Sequence, residues 1–178
     1  QRFIDVGKRN RGRLPIPLKY YGAHTGRWAG FDKVNFQNLP SRDKKKKALK
    51  NAVIAPDDHI VINCDSSQIE ARVLAWLAGQ EDVVTQFANG EDVYSLFATD
   101  IYDRPISKAY PVERFVGKTC ILGLGYGTGA LKLQHTLKTT PPGAIVDEEE
   151  AKRIVGVYRT KNHAVIQLWR DGMQSSKT

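Results

Sequence analysis

The pattern of apolar and polar positions changes character near residue 64. Over residues 59 to 63, "HIVIN", β-branched side chains follow one another between "APDD" and Asp65, which predicts a short strand buried on both faces. From Ser67 on, Ile69, Val73, Leu74, Trp76 and Leu77 recur near helical spacing, and Gly79 stands where a helix would stop. The order is strand, carboxylate, helix, with Asp65 at the carboxyl end of the strand. "DVVTQFANG" and "DVYSLFATDIY" each begin with an acidic residue and keep apolar positions three and four apart, so two short helices are expected around Asn89-Gly90. Pro111 opens another helix in "PVERFVGKTCILGLGYG", and "TTPPGAI" reads as a loop. Asp147 and Glu150 fit a capping box before "EEEAKRIVGVYRT", and "HAVIQLWRDGM" predicts a last helix after a turn at Lys161-Asn162. By contrast, "LPIPLKYYGAHTGRWAG" reads as extended chain and turns. The expected class is α+β and mostly helical, with few strands.

Composition adds limits. With 178 residues, 41% of them hydrophobic, the chain can bury one ordinary core or two small ones. No apolar run approaches the ~20 residues that span a bilayer, and the N-terminal stretch lacks the apolar core of a signal peptide, so a soluble cytoplasmic protein with no membrane partner is expected. Cys64 and Cys120 lack CxxC spacing, which predicts two buried free thiols rather than a zinc site or disulfide. Charge is uneven. Residues 1 to 50 carry 14 Lys/Arg against 3 Asp/Glu, while the remainder carries 13 against 16. Tyr20, Tyr21, Trp28 and Phe31 lie between the basic clusters "GKRNRGR" and "SRDKKKKALK", an arrangement suited to a phosphate backbone or, for the lysine run alone, to a solvated loop.

Two constellations carry candidate chemistry. Asp65 either caps the following helix or presents a carboxylate for function, and Gln68, Glu70 and Arg72 crowd polar groups into the first turns of an otherwise apolar helix. Arg114, Lys118, Leu122 and Tyr126 are spaced four apart. At ~100° per residue they form one slowly rotating stripe, with two cations at one end and an aromatic face at the other. That order matches a nucleoside triphosphate lying along the helix; the competing reading is a solvated basic face. "GLGYGTG" is neither a dinucleotide fingerprint nor a P-loop, because no strand directly precedes it and no Gly-Lys-Ser/Thr closes it. Gly117, Gly123, Gly125 and Gly127 each cost a helix roughly 1 kcal/mol relative to alanine, which points to a close ligand or a hinge that lets this helix close over substrate.

Together these stretches resemble family A DNA polymerases, the group that includes bacterial DNA polymerase I and many phage replicases. "DSSQIEAR" is similar to the first palm motif, "RFVGKTCILGLGYG" to the fingers motif, and "TGRWAGFDKVNFQNLPSR" to an upstream DNA-contacting segment; the phrasing is closest to phage-type members. The resemblance covers nearly the whole chain. It implies a partial palm with a basic DNA-contacting segment over residues 1–80 and helical fingers over 81–178. It also implies template-directed DNA synthesis, the transfer of a nucleotide from dNTP to a primer 3′-hydroxyl by a two-metal mechanism, in the cytoplasm or, for a phage protein, in the infected host.

Residue by residue, the resemblance implies that Asp65 and the Ser66 carbonyl bind two Mg2+ ions. Arg114 and Lys118 would grip the triphosphate, with Lys118 donating a proton to pyrophosphate. Gln68, Glu70, Tyr94 and Leu122 would line the dNTP site, Glu70 by crowding the sugar 2′ position. Tyr126 would stack near the nascent pair or the template base. Arg27, Gln37, Asn38, Arg42, Tyr126 and Gly127 would hold primer-template DNA. Leu122 departs from the aromatic residue frequent at its site, and Tyr94 stands where bacterial members often have histidine. The second catalytic carboxylate motif, of His-Asp-Glu type, has no counterpart after Tyr126. The chain is therefore expected to be a piece of a polymerase, inactive alone, that works with thumb and remaining palm supplied in cis or in trans. The alternative is a non-catalytic nucleic-acid-binding module.

Overall fold

Proline at the first helical position of α6 (Pro111–Leu124), acidic residues in the first turns of α4 (Glu81–Ala88) and α8 (Glu148–Lys161) and glycine after α3 (Ile69–Ala78) mark several helix boundaries of this chain. The computed structural model describes residues 2–31, 35, 36, 39, 44–62 and 64–175. It divides into two units, residues 1–64 and 65–178. Among the described residues the first unit holds α1 (Arg2–Arg9), β1 (Leu18–Lys19), β2 (Ala29–Gly30) and α2 (Lys44–Asn51). β1 and β2 pair antiparallel, Leu18 opposite Gly30 and Lys19 opposite Ala29. Tyr20 packs edge-on against Trp28 at 5.2 Å between ring centroids. Neither α1 nor α2 is signalled by the apolar pattern, which their many basic residues interrupt.

The second unit is a helical bundle: α3 (Ile69–Ala78), α4 (Glu81–Ala88), α5 (Val93–Tyr102), α6 (Pro111–Leu124), α7 (Ala130–Thr139), α8 (Glu148–Lys161) and α9 (His163–Ser175). Six of these follow the expected helices; α7 lies in a stretch whose polar residues hide its two core positions, Leu133 and Leu137. α5 packs along α6, α7 on α8, and α3 against α4, α6 and α9. Val93, Phe97, Ile101, Val116, Leu124, Leu133, Leu137 and Ile154 fill the core between them. Asp147 caps α8 by accepting the Glu150 amide at 2.7 Å, while the Glu150 carboxylate turns to Arg153 instead of closing the box. Gln80, almost fully buried, ties the ends of the bundle by donating to the Lys161 carbonyl and accepting the Ala164 amide.

Two expectations are corrected. Residues 59–62 form no strand, and Ile60, Val61 and Ile62 are exposed at 82, 66 and 81%. β-branched residues favour extended backbone, but a strand exists only when its amides and carbonyls are paired, and among the described residues β1 and β2 pair only with each other. Asp65 therefore does not follow a regular strand over these residues. Cys64 is exposed, and only Cys120 is a buried thiol.

Burial pushes the Cys120 thiol up to about 12, and burial likewise pushes the Tyr158 hydroxyl to about 12. Because the unfolded thiol ionises first, the stability this group contributes is complete below its unfolded value near 9 and is lost as pH rises toward 12. At pH 8 iodoacetamide is expected to label Cys64 within minutes and Cys120 only after denaturation, a difference that mass spectrometry reads directly. Labelling of both at one rate would mean that α5, α6 and α8 do not pack as described.

Candidate nucleotide-binding site

The site is built where the start of α3 and the N-terminus of α5 meet α6. Small residues permit the approach. A Cβ at Gly117 would lie 2.2 Å from the Tyr94 carbonyl oxygen, and one at Gly125 would lie 2.9 Å from Leu74 Cδ2. At Gly117 the backbones of α6 and α5 touch, so its reason is packing between helices, whereas at Gly125 the absent side chain leaves room for the Leu74 side chain of α3. Gly127, at φ +72°, turns the chain after α6 in a conformation that glycine adopts without strain.

Arg114 lies on α6 and pairs with Asp92 through two bonds, Nε to Oδ2 at 2.6 Å and Nη2 to Oδ1 at 3.1 Å. Ser95 Oγ also donates to Asp92 Oδ2, at 2.8 Å. Burial raises the Asp92 carboxyl, but the bonds from Arg114 and Ser95 outweigh it and hold the group below its usual range. The ring of Tyr94 lies beneath both cations, 5.5 Å from the Arg114 guanidinium carbon and 5.9 Å from Lys118 Nζ. Burial raises the Tyr94 hydroxyl, opposed by the Gln68 side chain and Arg114, so the phenol is neutral at physiological pH. Tyr94 presents its ring face to the cations. Gln68 reaches this group from the residue before α3, where it adopts the left-handed conformation at φ 57°.

Further along α6, Leu122 and Tyr126 line one cavity of about 370 Å³ together with Glu70, Leu74 and Trp169. Tyr126 lies two residues past the helix and is 72% exposed. The structure thus brings together Gln68, Tyr94, Arg114 and Lys118 at one end, and Glu70, Leu122 and Tyr126 at the other. Arg27 is exposed in the first unit, in the turn between β1 and β2. Gln37, Asn38 and Arg42 lie outside the described residues.

Asp65 is exposed, and the capping alternative for it fails: α3 starts four residues later with Gln68 at the cap position and no side-chain cap bond. Three residues of chain keep Asp65 within ~11 Å of Gln68. Among the described residues no three His, Cys, Asp or Glu side chains gather to hold a metal ion. One exposed carboxylate and the Ser66 carbonyl supply by themselves too few ligands for a pair of magnesium ions, which need several oxygen ligands each.

Sequence reasoning gave no role to Asp92 or Trp169, and named Arg72 only among the polar groups crowding the first turns of α3. Asp92 reads as an ordinary acidic helix start, and nothing local signals a partner 22 residues away. Arg72 anchors the turn before α3: Nε donates to the Ser67 carbonyl at 2.9 Å, and the guanidinium lies 4.5 Å above the Phe87 ring. Arg72→Ala is expected to cost about 1.5 kcal/mol, read as a lower urea midpoint at unchanged m value. No loss would mean that this turn is held by its backbone alone.

Comparison with known proteins decides the family. The chain matches the family described as DNA polymerase family A over residues 2–178. It belongs to that family. The thermostable DNA polymerase I of Thermus aquaticus is 33% identical over 147 residues, which is 83% of this chain and 17% of that protein. DNA polymerase I of Caldicellulosiruptor bescii is 28% identical over 83% of the chain and 16% of its own length. A solved structure described as the POL domain of Pol1 from M. smegmatis, in complex with DNA primer-template and dNTP, superposes with a TM-score of 0.77 at 27% identity. It covers 94% of this chain, which spans 28% of that one. The chain therefore corresponds to under a fifth of these curated relatives. Among the described residues no helix is long and apolar enough to cross a membrane.

Proposed function

We propose that this chain is the nucleotide-selecting part of a DNA-directed DNA polymerase, contributing to template-directed transfer of a nucleotide from dNTP to a primer end. The observation that carries this reading is the pair of cations on α6, Arg114 and Lys118, set one turn apart over the Tyr94 ring with Gln68 beside them. In this reading the two cations bind the triphosphate, and Glu70, Leu122 and Tyr126 receive sugar and base in the adjoining cavity. The superposition on a polymerase bound to primer-template DNA and dNTP supports both as ligands.

Arg27, Gln37, Asn38, Arg42, Tyr126 and Gly127 are proposed to contact primer-template DNA, in keeping with the strong positive balance of residues 1 to 50. Residues up to about 80 would then serve the palm and the later helices the fingers. Asp65 and the Ser66 carbonyl are proposed as part of a magnesium site that polymerase regions outside this chain complete. The motif phrasing favours phage origin, and action is proposed in the cytoplasm of the cell or infected host.

Primer extension tests the reading, with the chain alone and mixed with a complementing polymerase fragment that carries further palm and thumb regions. Synthesis only in the mixture, sensitive to substitution on α6, supports it. DNA binding that falls with salt, with no synthesis in either arm, would instead favour a binding module, for which the basic first segment is the supporting feature.

A further inference from the structure

Arg114 offers five N–H donors in a rigid planar fork. Asp92 takes the Nε–Nη2 edge side-on, and Nη1 has no protein acceptor among the described residues. The carboxylate is itself fixed, because Ser95 one turn into α5 donates to the same oxygen that accepts Arg114 Nε. The guanidinium is thus held on one edge by Asp92 and rests on one face over Tyr94, with its remaining end open. Lys118, over the same ring, makes no ion pair among the described residues.

We propose that Asp92 is a positioning residue, which grips one edge of Arg114 so that the free Nη1 end is aimed at the polyphosphate of an incoming nucleotide. The inference rests on the nucleotide reading of α6 given above. Asp92 has two opposing effects. Its grip removes in advance the rotamer freedom that Arg114 would otherwise lose on binding. Its charge opposes an approaching polyphosphate. The first effect dominates, because the bidentate bond fixes the whole fork, whereas repulsion at a site about a quarter exposed is screened by solvent and salt.

Calorimetric titration of the 178-residue chain with inorganic tripolyphosphate tests this. Arg114→Ala is expected to weaken binding about thirty-fold, and Asp92→Asn, which keeps shape and removes charge, about five-fold. In the Arg114→Ala background Asp92→Asn is expected to change nothing, a coupling that general loosening of the fold does not produce. If Asp92→Asn tightens binding or leaves it unchanged while Arg114→Ala weakens it, Asp92 is a competitor or a bystander and the proposal is overturned. If Arg114→Ala itself has no effect, the nucleotide reading of α6 fails, and the role of Asp92 with it. Should Asp92 variants not fold, proton exchange in the unsubstituted chain still decides. The Arg114 Nε–H is expected to exchange about ten-fold more slowly than that of the exposed Arg13, and equal rates overturn the grip.

Discussion

Gly117→Ala is expected to destabilise the chain by about 3 kcal/mol, a large share of what a domain of this size has in reserve. The added Cβ would sit 2.2 Å from the Tyr94 carbonyl oxygen and 3.0 Å from Ala98 Cβ. Backbone oxygen cannot rotate aside as a flexible side chain can, so α5 and α6 must separate along their length. The gain of roughly 1 kcal/mol in helix propensity offsets only part of that. Gly123→Ala is the control on the same helix. Its Cβ would meet nothing closer than Thr128 Oγ1 at 3.8 Å, so propensity should prevail and stability should rise by about 0.5–1 kcal/mol. Opposite signs in urea denaturation, one residue type and one helix apart by six positions, would be the signature of packing. A stabilised Gly117→Ala would refute the close approach of α5 and α6. The same substitution should also depress nucleotide binding, because Asp92 and Tyr94 lie at the start of α5 while α6 carries Arg114 and Lys118.

Arg114→Ala is the second large expectation. In primer extension with a complementing polymerase fragment it should lower kcat/KM for the incoming nucleotide by about 10²- to 10³-fold, with little change in folding. Charged donors aimed at a group whose charge redistributes in the transition state contribute more there than in the ground state, so the loss should exceed the loss in tripolyphosphate binding. Arg114→Lys should recover only part of it, since an ammonium cannot both bind Asp92 through an edge and offer a second planar end to phosphate. Stability should fall by no more than ~1 kcal/mol, because the Asp92–Arg114 pair is partly solvated. An unchanged kcat/KM in a folded variant would remove α6 from the site.

Most of the second unit was legible along the chain because its helices announce themselves locally. The three- and four-residue apolar spacing of α4, α5, α6, α8 and α9, with Pro111 and Asp147 at two of the starts, needs no partner to be read. α7 escaped because Lys132, Gln134 and His135 break up an apolar set of only a few positions. The strand expected at residues 59 to 63 failed for the opposite reason: a strand is a relation between two segments, and one β-branched run does not contain its partner. Cys64, expected to be a buried free thiol because it lacks CxxC spacing, lies beside that run and is exposed.

The site divides in the same way. By itself the sequence determined the family, the stripe of Arg114, Lys118 and Leu122 spaced four apart on one helix, and the helix that follows Asp65, since all of these depend on spacing within one continuous segment. Only the tertiary structure decided which groups meet. It brought Asp92 and Tyr94 of α5 to Arg114 and Lys118 of α6, Glu70 and Trp169 to one cavity, and gave Gly117 a backbone oxygen to touch. Helical periodicity specifies the direction in which a side chain leaves its own axis. It carries no record of which other axis lies there, and that is settled by how buried surfaces of several helices pack at once.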